Sequence, residues 1–269
     1  MRVRCKQRIT TTGLDIYFQK VKPGKGVNRD NVEELDNYNN KLVRDRFRNK
    51  TKRLMANINR TVQVSERTEL ITKLREYVKK VMEYDWYYDK LTPELTNEEL
   101  KEKIEQLTKI VYAKNDVYFR KVNFVYAFFS PYLEDECCIV TKDMVRELIT
   151  NCDKVLEAAR QSGVLNDNYE FIIPEKEFFY QYKEGENMFN ITNERRAEEE
   201  LRIQKLKDRL SGDWVETAKD YLPTQCGFFF GSTDYDVYYL RDVIDCKKQF
   251  EKLLSNWKDE EVVYNIMSW

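Results

Sequence analysis

The sequence contains no histidine among its 269 residues. Histidine is the commonest general base and the commonest metal ligand in proteins, because its pKa lies near neutrality. A Ser-His-Asp or Cys-His nucleophile system is therefore excluded. Glycine and proline are also scarce, at eight and five residues. Where they do occur, they mark positions with special backbone requirements.

The sequence also lacks the patterns of zinc fingers, secreted proteins and membrane spans. None of its six cysteines forms a CxxC pair, which disfavours a structural zinc site and favours buried, reduced thiols. No apolar run approaches the roughly 18 residues that a transmembrane helix needs. The first residues are basic and polar, without the apolar segment of a signal peptide. We therefore expect a cytoplasmic protein that does not engage a membrane.

Net charge is nearly absent, at -1, although 35% of the residues are charged. Such a balance gives the whole chain no attraction to nucleic acid, so an electrostatic partner must be met by a local patch. Residues 41–60 are dense in lysine and arginine. They lack interleaved exposed aromatic residues, and acidic residues precede them. The sequence therefore favours a solvated helix face here and disfavours a nucleic-acid partner.

Hydrophobic periodicity predicts a mainly helical chain with a few short strands that form a small sheet, an α+β fold. Alternation over 13–20 and apolar runs at 138–140, 171–173 and 262–266 predict the strands. Spacing near 3.6 residues predicts helices over about 30–60, from 65 onward, from 96 onward, over 141–160 and 194–210, and over 234–257. The apolar stretch 118–129 also predicts a helix, one buried enough that Arg120 and Asn123 would need polar partners.

The segment 222–245, LPTQCGFFFGSTDYDVYYLRDVID, stands out because it holds two of the eight glycines beside hydroxyls and carboxylates. One interpretation is structural, with Thr233 as the N-cap of the last helix and Asp236 at the third helical position. The other makes the helix start a rim that binds a ligand. The structural interpretation leaves Ser232, Tyr235 and the Gly-Phe-Phe-Phe-Gly run unexplained.

Several segments resemble a family of uncharacterised proteins common in bacteriophage and prophage genomes. GLDIYFQK is similar to that family's GLDMYL opening, and FRKVNFVYAFF to its WRKANAIHKWF helix, with Tyr126 where the family has histidine. CCIVTKDMVRELITNCDKVLE resembles a segment that reads VSKEDLEELLxxCKxVL. LPTQCGFFFGSTDYDVYYLRDVID resembles LPTQSGFFFGSTEYDEYYxxDLxxT, and the ending YNIMSW resembles YYxSSW. The resemblance implies a viral intracellular protein in the host cytoplasm and carries no secure activity.

The segments without a counterpart in that family define the domain prediction. We expect a single domain over 1–269, with insertions at about 30–115 and 169–221. The strand near Asp15, the stretch around Arg120 and the 222–245 segment would converge within it.

Three functions remain open at this point. The first is a phage-encoded accessory protein that binds a polar small molecule or a host protein without catalysis. The second is an enzyme that uses a divalent metal on a phosphorylated or glycosidic substrate, with Asp15, Asp234 and Asp236 as ligands. The third is a virion or assembly protein. No cofactor is indicated, and no metal site is assigned. The predicted ligand-binding residues are Asp15, Arg120, Asn123, Thr224, Gln225, Ser232, Thr233, Asp234 and Tyr235.

Overall fold

A computed structural model describes residues 14–61, 63–82, 91–111, 113–227 and 230–268. Within these residues the chain forms eight α-helices and one four-stranded antiparallel sheet. The predicted α+β fold, mainly helical with a small sheet, is confirmed. No helix in the described ranges is long and apolar enough to cross a membrane.

The sheet has the strand order β2-β1-β4-β3, and every neighbouring pair is antiparallel. Its strands are β1 (Asp15–Val21), β2 (Val117–Arg120), β3 (Cys137–Val140) and β4 (Val262–Ser268). Successive side chains of a strand point to opposite faces. One face carries Ile16 and Phe18 into the main hydrophobic core, and the other carries Asp15 and Gln19, which are also fully buried.

Three of the helices in the described ranges belong to one compact unit, Pro23–Lys114. They are α1 (Val32–Arg60), α2 (Val64–Val81) and α3 (Asn97–Ile110). Asn31 caps α1, and Thr96 forms a capping box with Glu99 at the start of α3, where the sequence predicted that a helix begins. The buried faces of the three helices form a second hydrophobic cluster that includes Phe47 and Leu74.

The remaining helices belong to the other unit, which comprises residues 14–22 together with 115–268. They are α4 (Asn123–Phe129), α5 (Lys142–Gln161), α6 (Asn193–Leu210), α7 (Trp214–Tyr221) and α8 (Val237–Ser255). Helices α5 and α8 bury Leu148, Val155, Leu240 and Phe250 against the sheet face that carries Phe18. This cluster is the core on which the 222–245 segment rests.

The prediction of a helix over 118–129 is wrong for the first half of that stretch. Residues Val117–Arg120 form strand β2, and a helix begins only at Asn123. Lys121 separates them with a φ of 61°, a left-handed conformation that ends the strand abruptly. Pairing of β2 with β1 outweighs the local helical pattern, and as a result Arg120 is exposed on an edge strand instead of buried.

Two further predictions need correction. The run at 171–173 forms no strand and makes only an isolated bridge between Leu165 and Phe171. Helix α7 was not predicted at all, although its first residue, Trp214, is fully buried and donates from Nε1 to the carbonyl of Leu210 (2.7 Å).

The prediction of a single domain with two insertions stays a prediction. The unit Pro23–Lys114 covers nearly the same residues as the first predicted insertion, about 30–115.

Candidate binding site

The loop between α7 and α8 holds most of the predicted site residues, and hydrogen bonds within the loop fix its shape. The Thr224 backbone N–H donates to the Tyr235 hydroxyl (3.1 Å), and the Thr224 hydroxyl donates to the carbonyl of Thr233 (3.1 Å). Further along, the Asp234 N–H donates to the Ser232 hydroxyl (3.0 Å). The two ends of the loop are thus tied to each other by side chains predicted to bind a ligand.

The loop is also tied to the turn between β2 and α4. Asn123, which is buried at the start of α4, donates from Nδ2 to the carbonyl of Ser232 (2.6 Å). Gly231 has a φ of 88°, and a β-carbon there would lie 3.3 Å from the carbonyl oxygen of Lys121. The positive φ therefore favours glycine at 231, and a β-carbon there would also crowd Lys121. The Lys121 N–H in turn donates to the carbonyl of Leu14 (2.7 Å) at the start of β1.

The second glycine of the motif meets a different need. A β-carbon on Gly227 would come within 2.6 Å of the Phe230 ring, which folds back over it and packs against Tyr126 at 4.6 Å between ring centroids. The aromatic pair explains Phe230 as a core anchor. The neighbouring Phe228 and Phe229 lie outside the described residues.

The helix cap is not the one that the sequence predicted. Asp236, and not Thr233, is the N-cap of α8, and its Oδ1 accepts from the backbone N–H groups of Tyr238 (2.9 Å) and Tyr239 (3.1 Å). The helix begins at Val237 because the preceding residues are held in the loop by Thr224 and Tyr235.

Asp15 and Arg120 belong to the sheet and not to the loop. They lie opposite each other in the register of β1 and β2, so both side chains point to the same face. The Tyr118 hydroxyl donates to Asp15 Oδ1 (2.5 Å). Burial, reinforced by this hydrogen bond to a carboxylate, raises the pKa of Tyr118 above its ordinary value.

The same sheet face carries a further buried polar pair. The Tyr264 hydroxyl hydrogen-bonds to Gln19 Oε1, and Gln19 Nε2 donates to Asn115 Oδ1 (3.1 Å). Both Tyr264 and Gln19 are fully buried. Asp15 is thus part of a polar layer across β1, β2 and β4. That Tyr264 belongs to this layer could not be predicted, because no pattern in the sequence links it to Gln19.

A cleft of about 280 Å³ opens where the loop meets the end of α6. Asp234, Tyr235 and Asp236 line one side, and Lys207 and Asp208 of α6 line the other. Lys207 Nζ lies 3.4 Å from Asp236 Oδ2. The cleft therefore combines three carboxylates with one ammonium group and favours a ligand of positive charge.

The predicted residues divide into two groups by what the structure has them do. Asn123, Thr224 and Ser232 use their side chains to hold the loop, while Gln225 and Asp234 are exposed. Lys207 and Asp208 were not predicted, because the charges of α6 read as pairs within one helix. No spacing in the sequence reveals that α6 faces the loop.

The arrangement offers no metal centre among the residues that the structure describes. There, no three Asp, Glu or Cys side chains come together as a metal ion would require. Asp234 and Asp236 both line the cleft, whereas Asp15 lies on the sheet, where it accepts from Tyr118. The ligand set of the metal-dependent alternative is therefore not assembled.

Comparisons with known protein families, curated proteins and solved structures found no match to this chain.

Proposed function

We propose that this chain is a phage-encoded accessory protein of the host cytoplasm, and that it binds a polar small molecule without catalysing a reaction. The cleft between the end of α6 and the start of α8 carries the proposal. Support for a phage origin comes from the LPTQCGFFFGSTDYD motif, which borders this cleft. The motif builds the rim, and α6 supplies the facing side.

The chemistry of the cleft narrows the ligand to one with an amino or guanidinium group. Its lining residues carry three carboxylates against one lysine. Asp236 is already engaged by the α8 amides and by Lys207, whereas the exposed Asp234 presents its carboxylate to the solvent. We therefore assign Asp234 as the main ionic contact, with the Tyr235 ring as an apolar wall beside it.

Thermal shift measurements with small charged probes test the proposal. Spermidine, agmatine and arginine are the cationic probes, and citrate and inorganic phosphate are the anionic ones. Binding to the native state raises the melting temperature by mass action. We expect the cationic probes to raise it, Asp234→Asn to remove most of that shift, and Asp220→Asn to leave it unchanged. Asp220 is also an exposed carboxylate, near the end of α7 and outside the cleft lining. A shift with the anionic probes alone, or with none, contradicts the proposal.

A host protein is the second candidate partner, favoured by the hydrogen-bonded loop of residues 185–190, which exposes apolar side chains. Phe189 is 89% exposed and Met188 is 61% exposed. Asn190 Nδ2 donates to the carbonyl of Gly185 (2.8 Å), and Asn187 Oδ1 accepts from the Phe189 N–H (2.9 Å). A held aromatic tip is suited to act as an interface anchor, since little entropy is lost when it is buried.

Tagged protein recovered from phage-infected cells tests this second candidate. We expect a host protein to co-purify with the wild type in a fixed ratio and to be lost with Phe189→Ser. Phe179→Ser serves as the comparison, since Phe179 is 49% exposed and lies outside the loop tip. Equal recovery with both variants contradicts a role for the tip. The virion or assembly alternative stays a prediction that light scattering addresses.

A further inference from the structure

Helix α1 concentrates positive charge in a chain whose net charge is -1. Residues 41–60 carry eight lysine and arginine residues and one acidic residue, Asp45, a net charge of +7. All twenty residues lie within the single helix Val32–Arg60, so the charge is spread along about 30 Å of helix axis. The macrodipole of the helix favours cations only in its last turn, which accounts for Arg60 alone.

Seven of the eight cations do not take part in packing the helix. Arg44 is the exception, because its Nε donates to the carbonyl of Val111 at the end of α3 (3.2 Å). The others are exposed, and Arg48 alone among them forms an ion pair within the described part of the chain, with Asp45 (3.0 Å). The exposed cations are Lys41, Arg46, Arg48, Lys50, Lys52, Arg53 and Arg60.

Helical geometry sorts these cations into two rows. At 100° per residue, Lys41, Arg48 and Lys52 fall within one narrow stripe of the helix surface. Residues 46, 50, 53 and 60 follow spacings of four, three and seven, and they form a second stripe. Between the stripes lie Asn49 and Ala56, both short and exposed, and Asp45, whose carboxylate is paired with Arg48 (3.0 Å). The buried side, with Phe47, Thr51 and Ile58, faces the opposite way.

We propose that α1 binds duplex DNA by lying in the major groove, with its two cationic rows on the phosphates at either side. The major groove is about 12 Å wide and admits an α-helix. The short strip of Asn49 and Ala56 lets the helix axis approach the groove floor, and the longer lysine and arginine side chains reach outward to the backbones. Asn49 faces the base edges, and an asparagine amide pairs well with adenine.

The phosphate contacts supply the affinity, so binding is largely independent of sequence. Binding to duplex DNA is also consistent with the absence of exposed aromatic residues among residues 41–60. Aromatic stacking serves proteins that hold single strands, whereas a duplex keeps its bases stacked on each other. The lack of aromatics therefore disfavours single-stranded partners only.

The duplex type follows from groove shape. A-form RNA has a deep and narrow major groove that a helix cannot enter, so duplex RNA is expected to bind less well. An anionic membrane would take the same charges, but the strip between the rows offers Asn49 and Ala56 in place of large apolar side chains. The geometry thus favours B-form DNA over both.

Fluorescence anisotropy with a labelled 20-base-pair DNA duplex and the full chain tests the proposal. We expect a dissociation constant of about 10 µM or tighter at 0.1 M NaCl. With five or six phosphates neutralised, the logarithm of affinity falls against the logarithm of salt with a slope of about -5. Duplex RNA, single-stranded DNA and vesicles of four parts phosphatidylcholine to one part phosphatidylserine are the competing probes.

A pair of matched variants assigns the contact to α1. Lys50→Gln/Arg53→Gln removes two cations from one row, and glutamine keeps the helix propensity. We expect affinity to fall about tenfold and the magnitude of the salt slope to fall by about 2. Lys205→Gln/Arg209→Gln removes the same charge from exposed positions of α6 and is expected to change affinity less than twofold.

Several results overturn the proposal. They are no saturable binding of the duplex at 50 mM NaCl, an equal loss with both variant pairs, or tighter binding to duplex RNA, single strands or vesicles than to duplex DNA. Circular dichroism of each variant confirms that the helix content is unchanged, so a loss of binding reports on contacts and not on folding.

Discussion

Helices α1 and α6 are both rich in charge, and they use it in opposite ways. Over residues 41–60, α1 carries cations almost alone, whereas α6 (Asn193–Leu210) carries six basic and five acidic residues. In α6 the charged side chains form ion pairs with each other and hydrogen bonds with the preceding loop. In α1 they face water. Charge density by itself therefore says little, and the sign pattern decides whether a helix stabilises its own fold or presents a field to a partner.

Glu199 is the centre of the α6 network. It is 3% exposed and contacts Arg195 and Arg202, each at 2.8 Å. Its Oε2 also accepts from the backbone N–H of Gln181 (3.0 Å), and Arg202 donates to the carbonyl of Phe179 (2.7 Å). These bonds, led by that from Arg202, lower the pKa of Glu199. Together they hold residues 177–181 against the helix.

The largest effect is expected from removing this carboxylate. Glu199→Ala should lower the free energy of unfolding by about 2–3 kcal/mol, because it removes the buried carboxylate that two arginines and a backbone amide share as an acceptor. Asp45→Ala is the matched change on α1 and should cost less than about 0.5 kcal/mol, since it breaks only an exposed ion pair. Urea denaturation measures both. If the two substitutions lowered the free energy of unfolding equally, the charges of α6 would not stabilise the fold more than those of α1.

The pH dependence of the α6 network follows from the direction of the Glu199 shift. A carboxyl group whose pKa is lowered in the folded state contributes stability that is present above its unfolded value of about 4.5. That contribution is lost as the pH falls further, toward the folded value. We expect the difference between wild type and Glu199→Ala to shrink below pH 4.5, while it stays constant from pH 6 to 8.

A second comparison concerns Asp236, the carboxylate outside α6 that Lys207 contacts. Asp236→Ala should cost about 1–2 kcal/mol, because it removes the N-cap of α8. Thr233→Ala should cost less than about 0.5 kcal/mol, since the bond from Thr224 goes to the carbonyl of residue 233 and survives the change. If urea denaturation showed a larger loss of stability for Thr233→Ala than for Asp236→Ala, Thr233 would be the cap.

The smallest change in stability is expected from a substitution of Asp242 on α8, whose ionised form is disfavoured by its surroundings. Burial, with Asp245 and Asp236 nearby, raises the pKa of Asp242 to about 6, although Arg241 opposes the shift. Because the folded value exceeds the unfolded one, stability decreases as the pH rises from about 4 to 6. Asp242→Asn should therefore raise the melting temperature slightly at pH 7.5 and leave it unchanged at pH 4. A shift that is independent of pH contradicts the assignment.

Much of the helical structure could be predicted from the sequence, since helix starts depend on short-range chemistry. Helix starts were predicted at 96 and 141, and the hydroxyls of Thr96 and Thr141 accept there from the backbone N–H groups of Glu99 and Met144 as caps. The prediction failed where a distant partner decides. Residues 117–120 become a strand because β1 lies beside them, about a hundred positions away in the sequence.

The site shows the same limit. That Thr224, Ser232 and Tyr235 act together could be predicted from their shared loop, but not that their side chains bond to other residues of the same loop. The facing wall from α6 could not be predicted, because amphipathic spacing shows which side of a helix is polar and not what it faces. Likewise, the sequence predicted Thr233 as the N-cap where the structure has Asp236, because several neighbouring residues are of types that cap helices well.

The pairing of β1 with β4 at the centre of the sheet sets an order of events during synthesis. Gln19 and Tyr264, which hydrogen-bond across this pair, are separated by 245 positions. The unit Pro23–Lys114 is continuous in sequence and leaves the ribosome complete, so it is able to fold early. Strand β1 has to wait beside it, unpaired with β4, until the last strand is translated. The growing chain therefore carries β1 with one edge unpaired for most of its synthesis, and an unpaired strand edge favours aggregation.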